Sequence, residues 1–350
     1  MPERASTLPR PSIATTYQRS SMPYQLPLRA LLTVLLLFPL LAAAGEDELP
    51  AGHYLLPEEG DIIGRVQVVQ ASQDETVLDI GRRHGVGFEE MRLANPDISL
   101  WVPGEGTEVV VPTRFILPPG PREGVVVNVA EMRLYYYRPV TAGERRRVET
   151  YPVSVGRMDW ETPVGRTEIT AKAEDPSWYP PESIREYARR EQGKELPRVV
   201  PPGPDNPLGR HALRLGIPGY LIHGTNRPWG IGMRVTSGCI RMYPEDIEEL
   251  FPRLPVGTPV RLVNAPFKAG WKGDTLYLQA YPLLEEQRET TSTSEILSMA
   301  ADAVAEAMGD RPHRVDYNRL RRLVEAPTGL PVPISRDADV TLPAGAFHSR

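Results

Sequence analysis

The hydrophobic positions of this chain come mostly in short alternating runs broken by glycine and proline, and that period of two predicts strands. Residues 125–129 and 132–137 read as a hairpin turning at Ala130-Glu131, with further strands at 148–155, 166–171, 220–222 and 256–263. A different pattern occupies 66–112. Val66-Gln67-Val68-Val69 alternates, 74–86 reads as a capped helix ending near Gly85, and Phe88, Met91 and Leu93 continue into a second short helix that stops at Asn95-Pro96-Asp97. Residues 109–112 then close as a strand. Helical spacing returns at 244–251, which opens on Pro244 with acids in its first turn, and at 295–308 and 316–324. The Pro-rich stretch 177–207 is expected as a loop walling a groove, and 287–294 as a polar linker.

Ahead of these elements, Arg29 precedes a mostly apolar run over 30–41, followed by Ala42-Ala43-Ala44-Gly45 and acidic Glu46-Asp47-Glu48. A basic residue, a short apolar run and a small-residue site describe a secretory signal peptide over 1–45. The run is too short for a comfortable membrane span. Met22 would open a signal of ordinary length. The expected compartment is the periplasm.

Composition narrows the choice. A chain of 350 residues accommodates two or three domains, and 41% hydrophobic residues support real cores. Its 38 prolines are roughly twice the average share and argue against a mainly helical protein. A net charge of −5 offers no basic field for nucleic acid. One cysteine and six scattered histidines provide no metal-ligand cluster and no intrachain disulfide, so no metal or other cofactor is expected.

That cysteine, Cys239, sits sixteen positions after His223. A thiol attacks a carbonyl well only as thiolate, and a nearby imidazole is a common means of generating one. The short apolar strand Tyr220-Leu221-Ile222 can deliver His223 at its end. Gly224, Gly230, Gly232 and Gly238 let the backbone fold back, the last immediately before the sulfur. A lone cysteine is more often a small buried hydrophobe. Here it is flanked by Ser237-Gly238 and Ile240-Arg241 rather than by an apolar run.

His223-Gly224-Thr225-Asn226 and, fifteen positions after His223, Gly238-Cys239-Ile240-Arg241 resemble the signature of L,D-transpeptidases with a YkuD-type catalytic domain. Thr162-Pro163-Val164-Gly165 and Pro204-Asp205-Asn206-Pro207-Leu208-Gly209 resemble two further stretches of the same domain, in the same order. The unit at 63–116 resembles a LysM module, a binder of peptidoglycan glycan, with Gln73-Asp74 where Gly-Asp is usual. Helices over 290–335 resemble a small C-terminal region found in some of these enzymes, and the whole order is similar to the exported ErfK/YbiS group. The resemblance implies a mainly β, sandwich-like catalytic domain at 124–265, a small α+β module before it and a short helical region after it.

It also implies roles. Cys239 would be the nucleophile and His223 the base, with Gly238, Ser237 and Gly224 as oxyanion or positioning residues and Arg241, Asn226 and Trp229 in contact with substrate. Where the family usually has Ser/Thr-His-Gly-Cys, this chain has Thr236-Ser237-Gly238-Cys239; His211 is a weak substitute for the missing histidine. The implied substrate is a peptidoglycan stem tetrapeptide. The acceptor would be a lysine of an outer-membrane lipoprotein, a second stem or water, and carbapenems would inhibit covalently. Two other readings are an L,D-carboxypeptidase and a non-catalytic peptidoglycan-binding protein. A cysteine hydrolase of the NlpC/P60 kind would place its cysteine before its histidine, the reverse of the order here.

Overall fold

The computed structural model describes residues 49–338 apart from Thr141 and Asp159; the expected signal at 1–45 lies outside them. Strands β1 (His53–Leu55) and β2 (Ile62–Gly64) lead into β3 (Gln67–Gln70), α1 (Val77–Arg83), α2 (Phe88–Ala94) and β4 (Glu108–Val111). β3 and β4 pair antiparallel, so the strand-helix-helix-strand order expected for 66–112 is present. Thr76 caps α1 in a capping box with Asp79. Val77, Ile80, Met91, Val109 and Val111 bury their side chains together in a small core.

After β5 (Arg114–Ile116), which pairs with β2, comes the largest unit. It contains β6 (Gly124–Asn128), β7 (Arg133–Tyr137), β8 (Arg147–Gly156), β9 (Gly165–Glu174), α3 (Glu182–Gln192), β10 (His211–Leu215), β11 (Leu221–His223), β12 (Arg234–Thr236), β13 (Ile240–Met242), α4 (Pro244–Leu250) and β14 (Pro259–Val263). The two ten-residue strands organise it. The first half of β9 pairs with β14 and the second half with β10. The first half of β8 pairs with β7, and its later residues pair with β13. Hydrogen bonding therefore runs β8-β13-β11-β10-β9-β14-β6-β7 and back to β8. Where the sequence led to a layered sandwich, the strands instead form one sheet that closes on itself through the β7–β8 pairing. Val125, Val127, Leu134, Val153, Ile169, Leu213, Ile222, Ile240 and Leu262 fill the interior, with Ile247 and Leu250 of α4. Val126, Tyr135 and Tyr137 on the opposite face of β6 and β7 pack against Ile63, Phe115 and Leu117. Covered on both faces, β6 and β7 read as nearly continuous apolar runs.

The C-terminal region holds more than helices. β15 (Phe267–Lys272), β16 (Thr275–Ala280), α5 (Glu285–Arg288), α6 (Thr293–Met308), α7 (Tyr317–Glu325) and β17 (Pro331–Pro333) form a three-stranded sheet with α6 and α7 packed on it. The expected helices at 295–308 and 316–324 are there, capped by Ser292 and Asp316, and a sheet accompanies them. Two segments differ from expectation. The polar linker is partly α5 and the cap of α6. The Pro-rich loop at 177–207 contains the helix α3, which buries only Ala188 and so carries no apolar stripe to announce it.

Buried charge joins these units. Arg133 of β7 donates from Nε and Nη2 to the two oxygens of Glu90 on α2, each at 2.7 Å, and from Nη2 to the Gly85 carbonyl at 2.8 Å. Gly232 fits against Gly87 and Phe88, where a Cβ would meet the Phe88 nitrogen at 2.3 Å. Lys268 of β15 is buried against Glu131 and the Tyr135 hydroxyl.

Candidate active site

β11 and β13 are parallel neighbours, with Ile222 opposite Ile240 and His223 opposite Arg241. Both isoleucines face the interior. Side chains alternate along a strand, so His223, Arg241 and Cys239 are brought together on the outer side. The turn that presents the sulfur requires glycine: Gly238 has φ of +97°, and a Cβ there would meet the Tyr220 ring at 2.7 Å.

Hydrogen bonds hold this turn from two directions. Thr162 Oγ1 accepts from the Gly156 N–H at 2.9 Å and donates to the Gly238 carbonyl at 2.8 Å. Thr236 Oγ1 donates to the Cys239 carbonyl at 2.6 Å. Arg234, at the start of β12, donates to the Gly156 carbonyl and makes a bidentate pair with Glu286 of α5. Sequence reasoning placed Thr162 in a motif without a role; its work lies in a contact across 76 residues.

His223 is buried, and its Nδ1 lies 2.6 Å from the Gly224 carbonyl. A carbonyl only accepts, so Nδ1 carries the hydrogen and in the neutral ring the lone pair is on Nε2. Burial, then the charge of Arg241, pushes the imidazole pKa down to about 3, against hydrogen bonds to the backbone of Gly224 and Leu208. The ring is therefore neutral at pH 7. Cys239 is half-buried, with Sγ 3.7 Å from the Gly219 carbonyl. Burial raises its thiol above the ordinary range, while a hydrogen bond from the backbone of Leu221 and the charge of Arg241 pull the other way. The resting pair is thus thiol and neutral imidazole.

Arg241 is half-buried, and its Nε is buried without a partner. Burial lowers its pKa, Cys239 opposes that, and Arg227 adds a second positive charge nearby. The remaining expected residues are spread around this centre. Asn226 donates to the Pro204 carbonyl and so braces the 177–207 segment. Trp229 is 67% exposed at the turn 228–230. Ser237 is half-buried in the nucleophile turn. His211 packs against Phe251, with ring centres 4.6 Å apart and planes tilted by 47°. Asn206, unexamined as a residue in the sequence, is fully buried and gathers the backbone of Pro176, Leu208 and Pro201 around its amide. Among the described residues, no group of His, Cys, Asp and Glu could hold a metal ion.

The model of the YkuD family, L,D-transpeptidase catalytic domain, matches residues 122–262, the span that holds His223, Cys239 and Arg241. The chain is 39% identical over 292 residues to the probable L,D-transpeptidase ErfK/SrfK of Salmonella typhimurium, covering 81% of this chain and 91% of that one. The chain belongs to the L,D-transpeptidase family. It is also 36% identical over 305 residues to the probable L,D-transpeptidase YcfS of Escherichia coli, covering 84% and 92% of the two chains. The probable L,D-transpeptidase YbiS of Escherichia coli is 35% identical over 288 residues, covering 81% and 92%. These stretches are about twice as long as the catalytic domain, so likeness to these L,D-transpeptidases extends beyond the closed sheet.

Proposed function

We propose that this protein is an exported cysteine L,D-transpeptidase that acylates Cys239 with a peptidoglycan stem and passes the acyl group to an amine. The observation that supports this is the single outward face shared by His223, Cys239 and Arg241, with Nδ1 of His223 anchored on Gly224. In the first step His223 Nε2 takes the thiol proton as sulfur bonds to the carbonyl carbon between the stem's diamino acid and its terminal D-Ala. The backbone N–H groups of Gly238 and Cys239 would hold the oxyanion. The C–N bond then breaks, the proton passes from His223 to the leaving amine of D-Ala, and a thioester remains. An acceptor amine attacks that thioester, its proton returns through His223 to sulfur, and an amide is formed. Arg241, with a buried and unpaired Nε, suits a stem carboxylate. Trp229 and Asn226 would edge the groove.

The expected test is intact-mass measurement after exposure to a carbapenem. The reduced wild-type protein should gain the mass of one inhibitor, and Cys239→Ala should gain none. An unmodified, folded wild-type protein would overturn the assignment. The acceptor follows from muropeptide profiles of cells carrying wild type and Cys239→Ala. Loss of protein-linked stems supports lipoprotein anchoring, the expected outcome; loss of stem dimers supports cross-linking. A shift only between tripeptides and tetrapeptides would make the enzyme a carboxypeptidase. We assign the 63–116 module to glycan binding, and full-length protein should be displaced from isolated sacculi by soluble N-acetylglucosamine oligomers. Sacculus binding indifferent to those oligomers would remove that role.

A further inference from the structure

We propose that the end of the catalytic domain remote from Cys239 binds the phosphate headgroup of an anionic phospholipid. A cleft of about 520 Å³ opens there between the β7–β8 turn and residues 255–259. Arg122, Arg138 and Arg146 line it, and Val140 and Val256 form part of its walls. The two valines are 61% and 58% exposed. Arg145 and Arg147, beside them in the chain, are exposed as well.

The local charge balance favours an anion. Arg122 is bonded to Asp61 and to the Gly60 carbonyl, and Arg138 lies 3.6 Å from Glu149, which Arg253 also holds. Glu123 lines the cleft, and Glu144 sits in the turn. Against these acids stand five guanidinium groups on a chain whose net charge is −5, so the excess of positive charge is local. Planar guanidinium forks match phosphate oxygens. A free phosphate would use only the arginines. Exposed valines on the same walls fit an anion joined to an apolar body, as at a membrane surface.

The cleft is separate from the nucleophile. Arg147 and Gly156 are the two ends of β8, whose ten residues span about 30 Å at the usual rise. Gly156 is the end that Thr162 ties to Gly238. A molecule seated on the membrane through the arginine end would direct Cys239 away from it. This inference is independent of the chemistry assigned to Cys239.

The experiment sediments full-length protein with vesicles of phosphatidylcholine alone and of phosphatidylcholine containing phosphatidylglycerol. The apolar run at 30–41 would favour both alike, so the difference between them is the readout. At low salt several-fold more protein should follow the phosphatidylglycerol vesicles. Arg138→Glu with Arg146→Glu should abolish the difference, since each basic group near an anionic surface contributes about fivefold in binding. Val140→Ser should weaken vesicle binding while leaving calorimetric binding of glycerol phosphate unchanged. Circular dichroism checks the fold of each variant, and Arg145→Glu, in the exposed turn, replaces the double variant should that one unfold. Equal sedimentation with both vesicles, or arginine variants that behave as wild type, would overturn the proposal. Arginine-dependent binding of glycerol phosphate without any vesicle preference would also overturn it, and would assign the cleft to a soluble phosphate ester.

Discussion

At the scale of single residues, the candidate site is a neutral pair awaiting substrate. An imidazole held to about 3 by burial and by Arg241 stays unprotonated across the physiological range, so proton acceptance is not lost as pH falls from 8 to 5. The carbapenem acylation rate should therefore show no break near 6.5, the ordinary histidine value, and should rise on the alkaline side where the raised thiol ionises. His223→Ala should cut that rate by about 10²-fold or more while keeping the fold. A clear inflection near pH 6.5 in the wild-type rate would contradict this account. Thr162 works on the sulfur only through the backbone. Thr162→Val leaves the Gly156 N–H and the Gly238 carbonyl unpaired, a loss of about 1–3 kcal/mol. Acylation should slow by roughly tenfold, and Thr162→Ser should recover most of it. Full activity in the valine variant would show that the clasp does not position the turn.

At the scale of elements, α4 carries an unusual first turn. Pro244 opens it, Glu245 makes a bidentate pair with Arg82 of α1, and half-buried Asp246 has its Oδ2 buried and unpartnered. Burial, reinforced by the charge of Glu245, pushes the Asp246 carboxyl up to about 8. Its folded value lies above its unfolded one, so the folded state binds the proton more tightly. That stability is fully present below about 4 and is lost as pH rises through 8. Asp246→Asn removes the dependence. Urea melts should show the variant gaining on wild type between pH 5 and pH 9, and an unchanged difference would place Asp246 in a wetter site. The same protonation leaves the start of α4 with less negative charge than its two acids suggest.

At the scale of the whole molecule, the 63–116 module has its own small core but is fastened to the catalytic domain by the Arg133–Glu90 pair. Arg133 is fully buried, so removing its partner strands a charge at a cost of about 3–5 kcal/mol. Deleting 66–112 would strand the same charge, so acylation of Cys239 should be impaired by that deletion through loss of stability. Glu90→Gln should lower the melting temperature markedly, whereas Arg133→Met with Glu90→Leu should restore much of the loss. A single variant as stable as wild type would mean that the pair does not secure the interface.

What the sequence by itself determined was local or carried by spacing. The β6–β7 hairpin, the β3-α1-α2-β4 order, Pro244 opening α4 and the helical spacing of α6 and α7 depend on neighbours within a few residues, and periodicity records those directly. Cys239 drew attention because it is one thiol among 350 residues, set between Gly238 and Ile240-Arg241, and the family resemblance attached His223 to it. The helix α3 and the strands β15–β17 were not legible. The former buries almost nothing, and the latter acquire their faces only when α6 and α7 cover them. The closure of the sheet through β8 and β9 was decided by tertiary structure, since each long strand serves two partners on its two halves. The environment of the site was decided there too. The tautomer of His223, the lowered imidazole and raised thiol, and the clasp of Thr162 on Gly238 all follow from burial and from contacts between residues far apart in the chain. A linear sequence names those groups but does not state how much water each one loses.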